Sequence, residues 1–232
     1  MRRAATALAA VGLVLFALPA SEAEPKREVV IHGAHSGSHL KLGVKKGVLV
    51  VKGWMARVKP RGCRFKRYRK VAVCSLRRAR EVVVRMGPNN DRVTVVKKLP
   101  VPVRAYLGAG SDKMIGNAER DFCYPQGSKR NRCVGGPGND VCITGNKSSD
   151  CVGGPGNDYC RHYNGSDGCW GGPGNDICVM GRNHDGCHGD SGNDRLYGGR
   201  DSDRLYGGRG HDYCDGGPGW GKSQACEMGP RR

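Results

Sequence analysis

The sequence predicts an all-β chain: a parallel β-roll, built as a two-sided β-solenoid with 18-residue coils and preceded by a small β-rich region. Three observations point there. The hexapeptide Gly-Gly-Pro-Gly-Asn-Asp occurs unchanged from Gly135, from Gly153 and from Gly171, so it returns every eighteen residues. Weaker copies lie between, and the frame Gly-Gly-x-Gly-x-Asp-x-U-x, with U apolar, advances in nine-residue steps from Gly135 to Asp215. Fixed short periods mark solenoids, in which each repeat buries its apolar side only against its neighbours. Third, 38 Gly with only 38% hydrophobic residues would signal disorder in an aperiodic chain. Here the glycines recur where turns need them.

Taken in order, the chain opens like an export signal. Met1 to Arg3 is a basic start, Ala4 to Leu18 an apolar run short for a bilayer span, and Ser21-Glu22-Ala23 offers small residues around a cleavage point. Residues 1–23 are therefore expected to be a signal peptide, and the protein secreted, extracellular and available to the cell wall. Export makes disulfides the expected state of the 12 Cys, an even number.

Residues 24–105 form the second element. Runs rich in Val and Ile, bounded by Gly and charge, read as strands at Glu28–Ile31, Leu40–Val44, Gly47–Lys52, Val71–Cys74, Glu81–Arg85 and Arg92–Val96. Lys45-Lys46-Gly47 reads as a hairpin turn, and Cys63 is expected to pair with Cys74. The formal charge of +18 belongs to this region: residues 24–105 hold 22 Lys and Arg against 4 Asp and Glu, and residues 106–232 hold 15 against 16. Arg61, Arg64, Lys66, Arg67, Arg69 and Lys70, interleaved with Phe65 and Tyr68, make a candidate anion-binding patch. For an exported chain the fitting partner is an anionic cell-wall or membrane surface, and nucleic acid is not expected. A solvated face that aids solubility is the plainer reading of the same charges. Met86 to Thr94 already fits the nonapeptide frame loosely, so the roll is expected to begin near it with Val93 inward, and Leu99 to Tyr106 makes a rung three residues over length.

The third element, residues 106–232, is the repeat itself. Each nonapeptide supplies a six-residue turn and a three-residue strand, and successive turns fall on opposite edges. One edge carries Asp121, Asp140, Asp158, Asp176, Asp194 and Asp212; the other carries Asn131, Ser149, Asp167, Asp185 and Asp203, with fewer glycines before them. At the one Ser of this series, Ser149, the adjacent Asp150 is a candidate substitute.

On these motifs residues 107–226 resemble the RTX, or haemolysin-type, calcium-binding repeats of secreted bacterial proteins, and the whole chain is similar to small secreted actinobacterial members of that group. The resemblance implies Ca²⁺ between stacked turns, where an all-oxygen cage suits an ion that takes about 6–8 oxygens. On the first edge it implies as holders Gly135, Gly136, Gly138 and Asp140; Gly153, Gly154, Gly156 and Asp158; and Gly171, Gly172, Gly174 and Asp176. It adds Gly189, Gly192 and Asp194; Gly207, Gly208, Gly210 and Asp212; and Asp121. On the second edge Asp167, Asp185 and Asp203 are the candidates. The competing reading is that these Asp only close Asx-type turns.

The U column departs from such repeats. It reads Cys142, Cys151, Cys160, Cys169, Cys178, Cys187, Leu196, Leu205 and Cys214, with Cys123 and Cys133 before it and Cys226 three residues beyond a regular rung. One small inward side chain per rung leaves a thin core, and a disulfide closing about ten residues adds about 2.5–3 kcal/mol in the chain-entropy model. Leu196 and Leu205 drop out together, which favours neighbour pairing: Cys123–Cys133, Cys142–Cys151, Cys160–Cys169, Cys178–Cys187 and Cys214–Cys226. Pairing within one column, Cys142 to Cys160, is also countable. Neighbour pairing requires a locally thin roll, because packed sheets lie about 10 Å apart whereas bridged Cα atoms lie within about 7 Å. Zinc is a weaker alternative, since no Cys-x-x-Cys occurs.

No Gly-x-Ser-x-Gly elbow, His-Glu-x-x-His or phosphate loop is present. Gly189-Asp190-Ser191-Gly192 resembles a serine-protease nucleophile but sits in the repeat frame, and Trp170 and Trp220 are candidates for stacking on sugar or packing on the roll. His32, His35 and His39 offer at most a weak metal site. The expectation is a non-enzymatic calcium-binding roll that calcium orders after export. The alternative is an adhesion module for a cell surface or anionic polymer, in which calcium is only structural.

Overall fold

The computed structural model describes residues 28–33, 37–53, 55–59, 63–66, 70–96, 99–127, 129–145, 147–219 and 222–227. The expected signal peptide, Arg61, Arg67, Arg69, His35, Trp220 and the side chain of Lys66 lie outside the described residues. Among the described residues there is no helix. The first eight strands are β1 (Glu28–Gly33), β2 (His39–Lys45), β3 (Val48–Lys52), β4 (Met55–Lys59), β5 (Cys63–Lys66), β6 (Val71–Ser75), β7 (Glu81–Arg85) and β8 (Arg92–Val95). Then come β9 (Val103–Gly108), β10 (Lys113–Ile115), β11 (Phe122–Pro125), β12 (Arg132–Val134), β13 (Val141–Ile143), β14 (Asp150–Val152) and β15 (Tyr159–Arg161). The last seven are β16 (Gly168–Pro173), β17 (Ile177–Val179), β18 (Gly186–Ser191), β19 (Arg195–Tyr197), β20 (Arg204–Arg209), β21 (Tyr213–Asp215) and β22 (Lys222–Gln224).

These strands alternate between two sheets. One runs β21-β19-β17-β15-β13-β11-β9-β7-β1-β4, the other β22-β20-β18-β16-β14-β12-β10-β8-β2-β3-β6-β5. From β7 onward every pairing is parallel, so the chain winds as the two-sided solenoid its period predicts. Cys142 lies beside Cys160, Cys160 beside Cys178, and Cys178 beside Leu196 in one sheet. Cys151, Cys169, Cys187 and Leu205 make the facing column. The longer rung before the repeats appears as Met114 opposite Val93, with Val93 fully buried.

The coils begin upstream of the repeat frame. β1 and β2 pair in parallel with β7 and β8, so the basic region contributes the first coil of the same two sheets. β9 spans the composition change after Ala105 without interruption, hence the change in charge is not a change in fold. β3 to β6 are inserted into that first coil and pair antiparallel, as does β4 on β1. Lys46 and Gly47, both at positive φ (51° and 71°), form the hairpin turn between β2 and β3. This insert covers the N-terminal edges of both sheets, which otherwise would offer unpaired backbone to other chains.

Core composition changes along the axis. The longer first strands point two side chains inward, and Ile31, Leu40, Leu42, Leu49 and Leu107 are buried. The repeat strands, three residues long in β12–β15, β17, β19 and β21 and six in β16, β18 and β20, each point one Cys or Leu inward, and there the core is a file of sulfur followed by Leu196 and Leu205. At the C-terminus Ser223, not Cys226, takes the register position beside Leu205. Cys226 lies in the turn beyond, from where it reaches Cys214.

Candidate metal centre

Each repeat turn is tied to the next coil by two side chains that run in opposite directions. The backbone N–H of Asp140 donates to Asp158 Oδ1 at 2.7 Å, Asp158 to Asp176 at 2.7 Å, Asp176 to Asp194 at 2.8 Å, and Asp194 to Asp212 at 2.9 Å. Glu227 ends this file by accepting from the N–H of Asp212 at 2.6 Å. The asparagines of Gly-Gly-Pro-Gly-Asn-Asp face the other way: Asn139 Oδ1 accepts from Asn157, Asn157 from Asn175, and Asn175 from Asn193. Both carboxylate and amide therefore replace backbone partners that a tight turn cannot supply.

One carboxylate oxygen per turn is spent on this ladder, and the other is left over. Oδ2 of Asp140, Asp158, Asp176, Asp194 and Asp212 is buried without a hydrogen-bond partner. Each faces the first glycine of its own motif. A Cβ placed on Gly153 would lie 2.1 Å from Asp158 Oδ2 and 2.7 Å from the Gly171 carbonyl oxygen. On Gly189 it would lie 2.2 Å from Asp194 Oδ2 and 2.6 Å from the Gly207 carbonyl. Gly135, Gly171 and Gly207 hold the same position before Asp140, Asp176 and Asp212. The first glycine thus leaves a cradle where a carboxylate oxygen meets a carbonyl oxygen of the next coil.

The other glycines have a different task. Gly136, Gly154, Gly172 and Gly208 (φ 108° to 115°) and Gly138, Gly156, Gly174, Gly192 and Gly210 (φ 130° to 141°) adopt left-handed conformations against the preceding coil. They permit stacking and do not face the carboxylate.

Burial without compensation raises the carboxyls. It pushes Asp140 and Asp176 up to about 8, opposed by the neighbouring backbone N–H donors and assisted by adjacent carboxylates. Asp158 rises to about 7 and Asp194 to about 6 for the same first cause. A file of buried carboxylates, each short of one positive or hydrogen-bonding partner, is what a hard divalent cation satisfies. The all-oxygen donor set fits calcium.

Three expected holders differ. Both oxygens of Asp121 are satisfied, by the N–H of Val103 at 2.7 Å and of Asn117 at 2.6 Å, so its turn is closed without an ion. On the second edge Asp167, Asp185 and Asp203 form the same ladder, and their Oδ2 atoms also lack partners. The position of the first glycine, however, is filled by His162 before Asp167 and by Met180 before Asp185, as it is by Thr144 before Ser149, all buried. His162 Nδ1 lies 3.6 Å from Asp167 Oδ1 and 2.7 Å from Thr144 Oγ1. Only Asp203 keeps its glycine, Gly198, whose Cβ would lie 2.6 Å from Asp203 Oδ2. The fit is thus confined to the first edge from Asp140 onward and to Asp203. Asp150 does not replace Ser149: it lies in β14 and meets the exposed Arg130 at 3.3 Å.

The ladder also reaches Asp91, in the stretch Met86 to Thr94 that fits the frame loosely, and Asp112, which the sequence reading did not single out. Asp91 and Asp112 extend the second edge into the basic region, with Asp91 N–H donating to Asp112 Oδ1 and Asp112 N–H to Asn131 Oδ1, both at 2.8 Å. The signals were Asn90-Asp91 and Gly110-Ser111-Asp112, truncated copies of the motif.

Residues 188–219 match the family model of the RTX calcium-binding nonapeptide repeat (4 copies). No curated protein matches the chain. The matched stretch contains Asp194, Asp203 and Asp212, and the three unchanged hexapeptides before it continue its ladder with the same contacts. An RTX calcium-binding repeat on a parallel β-solenoid is the reading that sequence and fold share.

The cysteines follow the expected pattern in part. Cys63–Cys74, Cys123–Cys133 and Cys214–Cys226 are bridged. In the middle the register slips by one: Cys151 bridges Cys160, and Cys142, Cys169, Cys178 and Cys187 are buried thiols. Each inward sulfur has a neighbour nine residues before and nine after, both across the same thin core, so counting alone does not choose between them. The sheets do come close, with Cα separations of 6.1 Å at Cys123–Cys133 and 6.4 Å at Cys151–Cys160. Of the basic patch, Arg64 and Phe65 on β5 and Lys70 beyond it are exposed. Trp170 lies on the outer face, its ring stacked on His188 at 6.1 Å.

Proposed function

We propose that this chain is an exported, non-enzymatic calcium-binding β-roll protein whose coils are ordered by Ca²⁺ after export. The observation that carries the proposal is the file of buried Oδ2 atoms at Asp140, Asp158, Asp176, Asp194 and Asp212, each facing a side-chain-free glycine. These oxygens, with carbonyls of the neighbouring coil, are the holders. Bound calcium would neutralise carboxylates that burial otherwise keeps protonated, and would tie adjacent coils together. Extracellular calcium modules bind at about 10⁻⁴–10⁻³ M, a range that leaves such a roll unladen in the cytosol. Calorimetric titration of the oxidised protein with calcium, followed by circular dichroism and melting, tests this. Millimolar calcium is expected to raise the melting temperature and sharpen the β signal. Absence of both heat and thermal shift in millimolar calcium overturns the reading.

A second reading rests on Arg64, Phe65 and Lys70, exposed near the far edge of the 12-stranded sheet. They support adhesion to an anionic surface, with calcium structural. Arg64→Glu together with Lys70→Glu is expected to weaken binding to anionic vesicles or isolated cell walls while the calcium response stays unchanged.

A further inference from the structure

Four thiols remain buried in the core, and three of them stand apart. The Sγ atoms of Cys169, Cys178 and Cys187 all lie within 4.8 Å of one another. Cys169 and Cys187 are neighbours on β16 and β18, and Cys178 faces them from β17 of the opposite sheet. All three are at most 2% exposed. Their compartment is closed at both ends: Cys160, beside Cys178, is taken by its bridge to Cys151, and Leu196 and Leu205 fill the next rungs on the other side.

We propose that Cys169, Cys178 and Cys187 form a trithiolate site for copper(I) inside the roll. Parity is the first argument. With Cys151–Cys160 closed, three sulfurs are left on that side of the bridge, and disulfides cannot use an odd number. A trigonal ion uses all three. Coordination number is the second. Thiolate selects soft ions such as copper(I) and zinc, and protein zinc sites are almost always four-coordinate. Among the described residues no His, Cys, Asp or Glu adds a fourth ligand atom to this cluster. Copper(I) accepts three sulfurs in a plane and needs no further ligand. Third, the roll sorts its donors by hardness: the first edge presents only oxygen for calcium, while this compartment presents only sulfur. The two metals therefore do not compete for the same atoms. Because the site is sealed, copper must enter as the coils around it close.

The test uses the full chain, oxidised and calcium-loaded, under anaerobic conditions. Thiol counting after denaturation is expected to find four, with peptide mapping placing them at Cys142, Cys169, Cys178 and Cys187. Refolding with copper(I) supplied from a competing chelator is expected to leave one ion per chain, surrounded in X-ray absorption by three sulfurs and no nitrogen or oxygen. Cys142→Ser, which removes a thiol outside the cluster, is expected to retain that ion, and Cys178→Ser to lose it while keeping its calcium-dependent circular dichroism. If Cys178→Ser does not fold, the absorption spectrum and thiol map of the unaltered chain decide. A disulfide among the three, equal copper retention by a folded Cys178→Ser, or zinc held in preference with a fourth ligand overturns the assignment. None of these outcomes bears on calcium at the roll edges, so the two readings fail separately.

Discussion

At the scale of single residues, the glycines of one motif separate site from scaffold. Gly153 has no positive φ, so alanine is conformationally tolerable there, yet its Cβ would fall 2.1 Å from Asp158 Oδ2. Gly153→Ala is therefore expected to block one calcium cradle and to reduce the calcium-induced rise in melting temperature more than it lowers the metal-free value. Gly156→Ala should behave differently. Its φ of 140° and a Cβ 1.9 Å from the Gly138 carbonyl strain the stack whether or not calcium is present. A loss of about 1–3 kcal/mol in both conditions is expected. Gly186 faces open space, and alanine there should stay within about 0.5 kcal/mol of the parent protein. Denaturant melts of the three variants with and without calcium check the series, and a uniform effect at all three sites contradicts the division of roles. The positions of these glycines were legible in the sequence. Their division was not, because the motif spells every one of them alike and only the stacked coil shows which atom each faces.

At the scale of the element, the turn is a ladder that works against itself without metal. Burial first of all raises Asp140 and Asp176 to about 8 and Asp158 to about 7, whereas an unfolded Asp titrates near about 3.9. The folded, metal-free roll thus holds more protons than the unfolded chain between those values. Its contribution from these groups is fully present below about pH 4 and is lost as pH rises through 7 to 8. Calcium needs the ionised form, so its stabilisation should grow over the same window and reverse the slope. Melting curves between pH 4 and 8, with calcium and with chelator, are expected to diverge toward high pH. Asp158→Asn sharpens the test. An amide oxygen can still accept from the Asp140 N–H, as Asn131 already does from Asp112. This variant is expected to melt higher than the parent in chelator at pH 8 and to respond less to calcium. The Asp positions themselves could be read from the nine-residue frame. The weakness of the second edge showed in its missing glycines, but its cause did not: His162 and Met180, five places before Asp167 and Asp185, occupy the space that a glycine leaves open elsewhere.

At the scale of the whole molecule, the roll has a strong end and a weak one. The N-terminal coil buries Ile31, Leu40 and Leu42 and is covered by the antiparallel β3–β6 insert, which adds the buried Leu49. Sequence reading found the runs of β1, β2, β3, β6, β7 and β8 but not β4 or β5, and it set residues 24–105 before the roll while letting the roll begin near Met86 to Thr94, because charge changes at Ala105 while the inward pattern does not. Farther along, each repeat strand buries a single Cys or Leu, and between the Cys151–Cys160 and Cys214–Cys226 bridges no disulfide crosses the core among the described residues. In a solenoid stability is close to a sum of repeat and nearest-neighbour terms, so weakness there is not averaged over the molecule. Hydrogen exchange in chelator should therefore show a gradient. Amides of β7 to β10 are expected to exchange slowest and those of β17 to β20 fastest, with partial recovery toward β21 where Cys226 ties Cys214. On the proposed function, calcium held at Asp176, Asp194 and Asp212 would bridge this weak stretch to its neighbours and should slow its exchange most. Uniform protection along the axis in chelator, or a calcium effect confined to the N-terminal coils, contradicts a roll whose least covalently braced coils depend most on metal.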